Sequence, residues 1–205
     1  MAVNIDTVYQ RVLGIANKEQ RGYITPQEFN LFANQAQMDI FEQYFYDLEA
    51  FLNLPGNDTT HSDMVDILNE KIDIFEKFRQ DITDLSDAGV GTWPAYYRMG
   101  EVYYKNSDDQ YIEIEKIDQN QIHHIQNAPL VAPTITRPCY TQLTELTFQT
   151  YPTITVDADI VCNYIARPAA VNWNYTLVNG YPLYNAGNSL NFELHQSDET
   201  ELVIK

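Results

Sequence analysis

Gly22-Tyr-Ile-Thr-Pro-Gln-Glu-Phe-Asn-Leu-Phe-Ala-Asn-Gln-Ala-Gln-Met-Asp-Ile-Phe-Glu-Gln-Tyr-Phe-Tyr-Asp-Leu-Glu-Ala-Phe-Leu52 is the stretch from which the rest of the chain is read. Thr25 has the chemistry of an N-cap: Pro26 brings the fixed φ of a first helical residue, and Glu28 stands where a capping-box carboxylate reaches back to the Thr25 amide. Ile24 and Phe29 add a hydrophobic staple. Phe29, Phe32, Ala33, Ala36, Ile40, Tyr44, Leu48, Phe51 and Leu52 then recur at three and four residues, the period of one apolar helix face. Pro55-Gly56 ends the pattern. Such a helix is about 40 Å long at 1.5 Å per residue, the length of a domain spine.

Working outward, residues 4 to 16 predict a first helix capped by Asn4, with Val8, Val12, Ile15 and Ala16 on its apolar face. Asn17 to Gly22 form a polar turn that makes it an antiparallel neighbour of the spine. Beyond a loop from Gly56, Ser62 or Asp63 caps a third helix with Met64, Ile67, Leu68, Ile72, Phe75, Phe78 and Ile82 as its stripe. Residues 83 to 94, with two glycines and a proline, break the helical period. From Ala95 the period becomes two, and Tyr97 to Tyr104 with Tyr111 to Ile117 predict a hairpin around an Asn106-Ser-Asp-Asp turn. Asp118 caps a short helix to Ile125. Residues 128 to 138 hold three prolines and predict an extended arm or loop, not a central strand. Cys139 to Thr141, Glu145 to Thr150 and Asp159 to Ala166 are strand candidates, 169 to 194 reads as irregular with a short strand at Leu190 to Leu194, and Ser197 onward opens a helix. A helix that stops at Lys205, within its second turn, leads to the expectation that the natural chain is longer.

The expected fold class is therefore α+β: an N-terminal bundle of about three long helices, then a small, mainly antiparallel β region with long loops and a C-terminal helix start. The expected domains are a helical one at 1–86, a hinge at 87–94, and a β-rich one at 95–205 that carries the 128–138 arm.

Twelve basic against 29 acidic side chains give 205 residues a net charge of −17. That excludes a surface built to grip nucleic acid, which needs clustered Lys and Arg. It fits a solvated surface, or one that must not adhere to DNA passing nearby. Cys139 and Cys162 have no Cys-x-x-Cys spacing, which suggests a reducing cytosol and two buried apolar thiols. Neither a secretion signal nor a membrane span is expected.

No catalytic motif is legible. His123-His124 point in different directions from a helix, and His61 and His195 lack ligand-spaced neighbours, so neither metal nor cofactor is expected. Asp157-x-Asp159 resembles paired metal-binding acids, but Asp157 reads more simply as a turn residue. Fifteen tyrosines are the main compositional oddity. Without a basic groove for base stacking, they fit half-buried strands and protein interfaces.

Three blocks carry a family resemblance: Tyr23-Ile-Thr-Pro-Gln-Glu-Phe-Asn-Leu-Phe-Ala-Asn-Gln-Ala-Gln-Met-Asp-Ile-Phe with Glu42-Gln-Tyr-Phe-Tyr; Asn163-Tyr-Ile-Ala-Arg-Pro with Trp173; and Glu193 to Lys205. Taken together, the chain resembles virion structural proteins of podovirus-type tailed bacteriophages, including the crAss-like group, that act as head-to-tail adaptor or ring proteins. The resemblance implies a non-enzymatic, homo-oligomeric ring of twelve copies, assembled in the host cytoplasm and stacked on the portal beside other tail or ring proteins. DNA would pass through without specific binding, and no membrane is involved. Subunit contacts are assigned to Pro129, Val131, Pro133 and Ile135 of the arm and to Trp173 and Tyr175. Alternatives from other classes are another phage-particle structural protein, a carboxylate-dependent glycan hydrolase with its acids about 5 to 9.5 Å apart, and a tyrosine-lined glycan-binding module.

Overall fold

The computed structural model describes residues 2–18, 24–53, 63–82, 84–106, 108–155 and 159–205. Of the expected turn at 17–22, Asn17 and Lys18 belong to the first helix and 19–22 lie outside the described residues, as do the Pro55-Gly56 stop, the Ser62 cap, His61 and Asp157. By contact the chain divides into two compact units, Met1–Phe75 with Pro168–Lys205, and Glu76–Arg167. The sequence reading set its boundary at 86/87; the observed joins fall at 75/76 and 167/168.

The first unit is organised by α2 (Pro26–Leu52), which starts as its local chemistry dictates. The Glu28 amide donates to Thr25 Oγ1 at 3.3 Å, and the Thr25 amide donates to Glu28 Oε2 at 3.0 Å, completing the capping box. Bonding to the Thr25 hydroxyl and amide holds the Glu28 carboxyl below its usual range. Phe29, Ala33, Ala36, Ile40, Phe41 and Tyr44 are buried, whereas Phe32 and Leu52, expected on the same face, are exposed. α1 (Ile5–Lys18) is capped by Asn4, whose Oδ1 accepts from the Asp6 and Thr7 amides. α3 (Asp63–Asp73) packs on α2, where the Phe75 ring meets Phe41 edge to face at 4.8 Å.

A three-helix N-terminal bundle followed by a small β region does not form. α3 ends at Asp73, and Phe78, expected on its stripe, lies in a strand instead. α1 packs on α5 (Glu199–Ile204) near the far end of the chain. β1 (Glu76–Asp81) leaves the helical path because β8 (Ile160–Ile165), rich in β-branched residues, offers a ladder to pair with. Arg79 adopts φ 51 where the β1 register shifts, and Asn163 Oδ1 accepts the Arg79 amide at 2.9 Å. Across β8 the ladder with β3 also shifts, between Met99 and Val102. A Cβ on Gly100 would come within 2.9 Å of the Asn163 carbonyl, so only glycine allows that approach.

The second unit places its core between two four-stranded sheets. One runs β1-β8-β3-β4, with β3 Arg98–Lys105 and β4 Tyr111–Glu113; the other runs β2-β7-β6-β5, with β2 Val90–Thr92, β5 Glu115–Lys116, β6 Cys139–Gln142 and β7 Thr147–Tyr151. The expected β3–β4 hairpin forms, and the chain crosses to the other sheet at buried Ile114. β2 lies in the stretch read as a hinge and pairs with β7. Trp93 stacks on Phe148 at 3.7 Å within a cluster that includes Val102, Ile160 and Cys162. The short helix forms as α4 (Ile122–Gln126), but no side chain caps it.

Residues 168 to 205 complete the first unit. The expected strand at Leu190 to Leu194 reduces to two isolated bridges, Asn172 with Leu190 and Val3 with Phe192. The stretch read as irregular contains a hairpin, β9 (Tyr175–Val178) and β10 (Tyr181–Tyr184), joined by Asn179 at φ 52 and Gly180 at φ 83. These are the positive φ values of a two-residue turn whose twist matches the strands.

Candidate interaction surfaces

The hairpin is held at its base by α2. Asn34 Oδ1 accepts the Val171 amide at 2.9 Å, and its Nδ2 donates to the Val171 carbonyl at 3.0 Å. One turn earlier, Asn30 Oδ1 accepts the Trp173 amide at 2.7 Å, and its Nδ2 donates to the Trp173 carbonyl at 3.2 Å. Gln37 Nε2 donates to the Ala169 carbonyl at 2.8 Å, and its Oε1 accepts the Glu193 amide at 3.3 Å. Residues four apart on a helix rise about 6.0 Å, and alternate residues of an extended chain advance about 6.6 Å. The amides therefore meet alternate backbone groups, and the helix serves the extended segment as a neighbouring strand would.

That segment delivers Trp173, one of the residues assigned to subunit contacts, into the interior. It is 2% exposed, packs on Tyr9 at 4.3 Å, and donates its indole N–H to Asp6 at 2.9 Å. Its other neighbours are Tyr175 and Tyr184, stacked at 5.8 and 5.5 Å. Tyr175, also assigned to contacts, is half-buried. Beyond these rings the hairpin is uncovered: Tyr181 is 78% exposed, and Leu177, Val178 and Leu183 are exposed with it.

The same unit carries an apolar groove of about 220 Å³ between α1, the start of α2 and α5, lined by Val12, Phe29, Phe32, Ala36, Val203 and Ile204 among others. Ile24 lines it beside Phe29, as the staple predicts. Phe32 and Ile204 stand exposed at its rim.

The Pro-rich arm lies over its own sheet. Val131, Pro133 and Pro138 line a cleft of about 320 Å³ with Glu115, Asp118 and Arg137, and Arg137 donates to the Val131 carbonyl at 3.3 Å. Pro133 is half-buried, whereas Pro129, Val131 and Ile135 remain exposed. The arm residues and Trp173 belong to different units, so the six assigned contacts are not one patch within either unit.

Sequence reasoning missed a buried polar knot. Asp198 accepts from the Tyr44 hydroxyl at 2.5 Å and pairs with Lys71 Nζ at 2.6 Å, joining α2, α3 and the start of α5. Burial, then the bond to Asp198, pushes the Tyr44 hydroxyl pKa strongly up. No signal in the sequence marked it, because its three members lie far apart in the chain.

No group of three or more potential metal ligands occurs among the described residues. Burial pushes the Cys139 thiol up to about 11, helped by Glu115, and burial alone does the same for Cys162. Among the described residues no helix is long and apolar enough to cross a membrane. Comparison with protein-family models and with curated proteins finds no match for this chain.

Proposed function

We propose that the chain is a non-enzymatic structural subunit of a phage particle. Copies associate into a homo-oligomeric ring of the head-to-tail connector, against the portal and neighbouring tail or ring proteins, with DNA passing through. The observation that supports assembly is the uncovered apolar surface of the first unit, its hairpin and its groove, on a chain of net charge −17. Contiguous exposed apolar surface marks interaction sites, and a strongly acidic chain keeps its other faces in water. The phage connector is supported by the resemblance of residues 23–46 and 163–168. An excess of carboxylates also suits a channel wall that lets DNA slide without binding.

Native mass spectrometry and electron microscopy of the purified chain, alone and mixed with portal rings, test this reading. A closed ring of twelve copies is the expected result. A monomer under both conditions would overturn it.

A further inference from the structure

Residues 168–192 contain no Asp, Glu, Lys, Arg or His, although the whole chain has net charge −17. The β9–β10 hairpin is an exposed part of that uncharged run, as are Ala186 to Asn188 and Leu190. Four residues of strand reach about 13 Å, more than the roughly 8 Å over which charge is felt at physiological salt. Two copies of so acidic a chain repel one another, and the hairpin is a part that approaches a second copy without that cost. Beside exposed Thr176 and Asn179, four of its exposed side chains, Leu177, Val178, Tyr181 and Leu183, are apolar or aromatic and ask for cover. A lone two-stranded hairpin is marginal in water unless it packs on something.

The groove of the same unit is the complement: concave, apolar, and with Lys205 as the charged residue of its lining. Hairpin and groove are different patches. A contact between different patches is head-to-tail and repeats from copy to copy, whereas a patch that pairs with itself stops at a dimer. We infer that the β9–β10 hairpin of one copy docks in the α1–α2–α5 groove of the next. This rests on the ring reading above and supplies the contact that builds the ring.

Leu183→Asp and Tyr181→Asp place a charge on the hairpin without touching the buried base. The expected result is at least a tenfold weaker assembly by sedimentation, with the circular-dichroism melt unchanged and assembly kept by Leu183→Met. Full assembly of both charged variants would overturn the inference and leave the ring standing; a wild type that stays monomeric both alone and with portal rings would overturn both. Retained self-assembly with lost binding to portal rings would give the hairpin to the portal and overturn the inference. A second test mixes a Tyr181→Cys chain with a Phe32→Cys chain under a mild thiol oxidant, with Cys139 and Cys162 silent because they are buried. Covalent dimers in the mixture are expected, and dimers of Tyr181→Cys with itself would overturn the head-to-tail contact.

Discussion

Asn34 does more for the first unit than its polar character suggests. It satisfies both backbone groups of Val171, and a buried backbone group left unpaired costs about 1–3 kcal/mol. Asn34→Ala is therefore expected to destabilise the chain by about 2 kcal/mol or more, read from chemical denaturation. Asn34→Asp keeps the acceptor but loses the donor, and should fall between. The thiols set a pH dependence. The folded chain holds the Cys139 and Cys162 protons more tightly than the unfolded chain, at about 11 against an ordinary 9.0. Stability is thus intact below pH 9 and falls as pH rises from about 9 toward 11, with the raised Tyr44 adding to the loss above 10. Denaturation midpoints at pH 8 and pH 10.5 check the sign, and Tyr44→Phe should flatten the upper part. The burial of the two thiols was legible in the sequence, whereas the roles of Asn34 and Tyr44 were not. Asn and Gln on a helix face read as solvated, and only the distant segment 169–173 turns them into a ladder.

Among the elements, those governed by near neighbours could be read and those governed by distant ones could not. α2 was legible because Thr25, Pro26 and Glu28 fix its start within four residues. The β3–β4 hairpin was legible through its alternation and turn. β1 was not: its residues fit a helical stripe, and what makes it a strand is β8, with Arg79 and Asn163 separated by 84 positions. The β9–β10 hairpin did carry a local signal, Asn179-Gly180, hidden among the many Asn and Gly residues around it. In the second unit, β2 depends on a missing side chain. A Cβ on Gly91 would come within 2.4 Å of the Phe148 ring, which is fully buried and stacked on Trp93. Gly91→Ala should cost about 1–3 kcal/mol by overpacking, measured as a lowered denaturation midpoint.

At the scale of the molecule, charge and apolar surface pull against each other, and salt decides the balance. Screening shortens from about 10 Å at 0.1 M to about 3 Å at 1 M ionic strength. If apolar contacts hold copies together against acidic repulsion, self-association should strengthen as sodium chloride rises over that range, seen by sedimentation. Weakening with salt would mean that ion pairs hold them. The composition made this tension legible, whereas the location of the apolar surface was not, since Trp173 is spent inside the first unit and the exposed hairpin residues, Leu177 to Leu183, lie further along the chain.

The first unit joins segments from either side of the second in sequence, with Val3 bridged to Phe192 and α1 packed on α5. On the ribosome, residues 76–167 are a continuous run that emerges whole, while the flanking pieces wait for each other across it. The apolar groove between α1, α2 and α5 gains its third wall only when Leu202 to Ile204 have been made. A product that stops short of Leu202 therefore carries the β9–β10 hairpin without a complete groove.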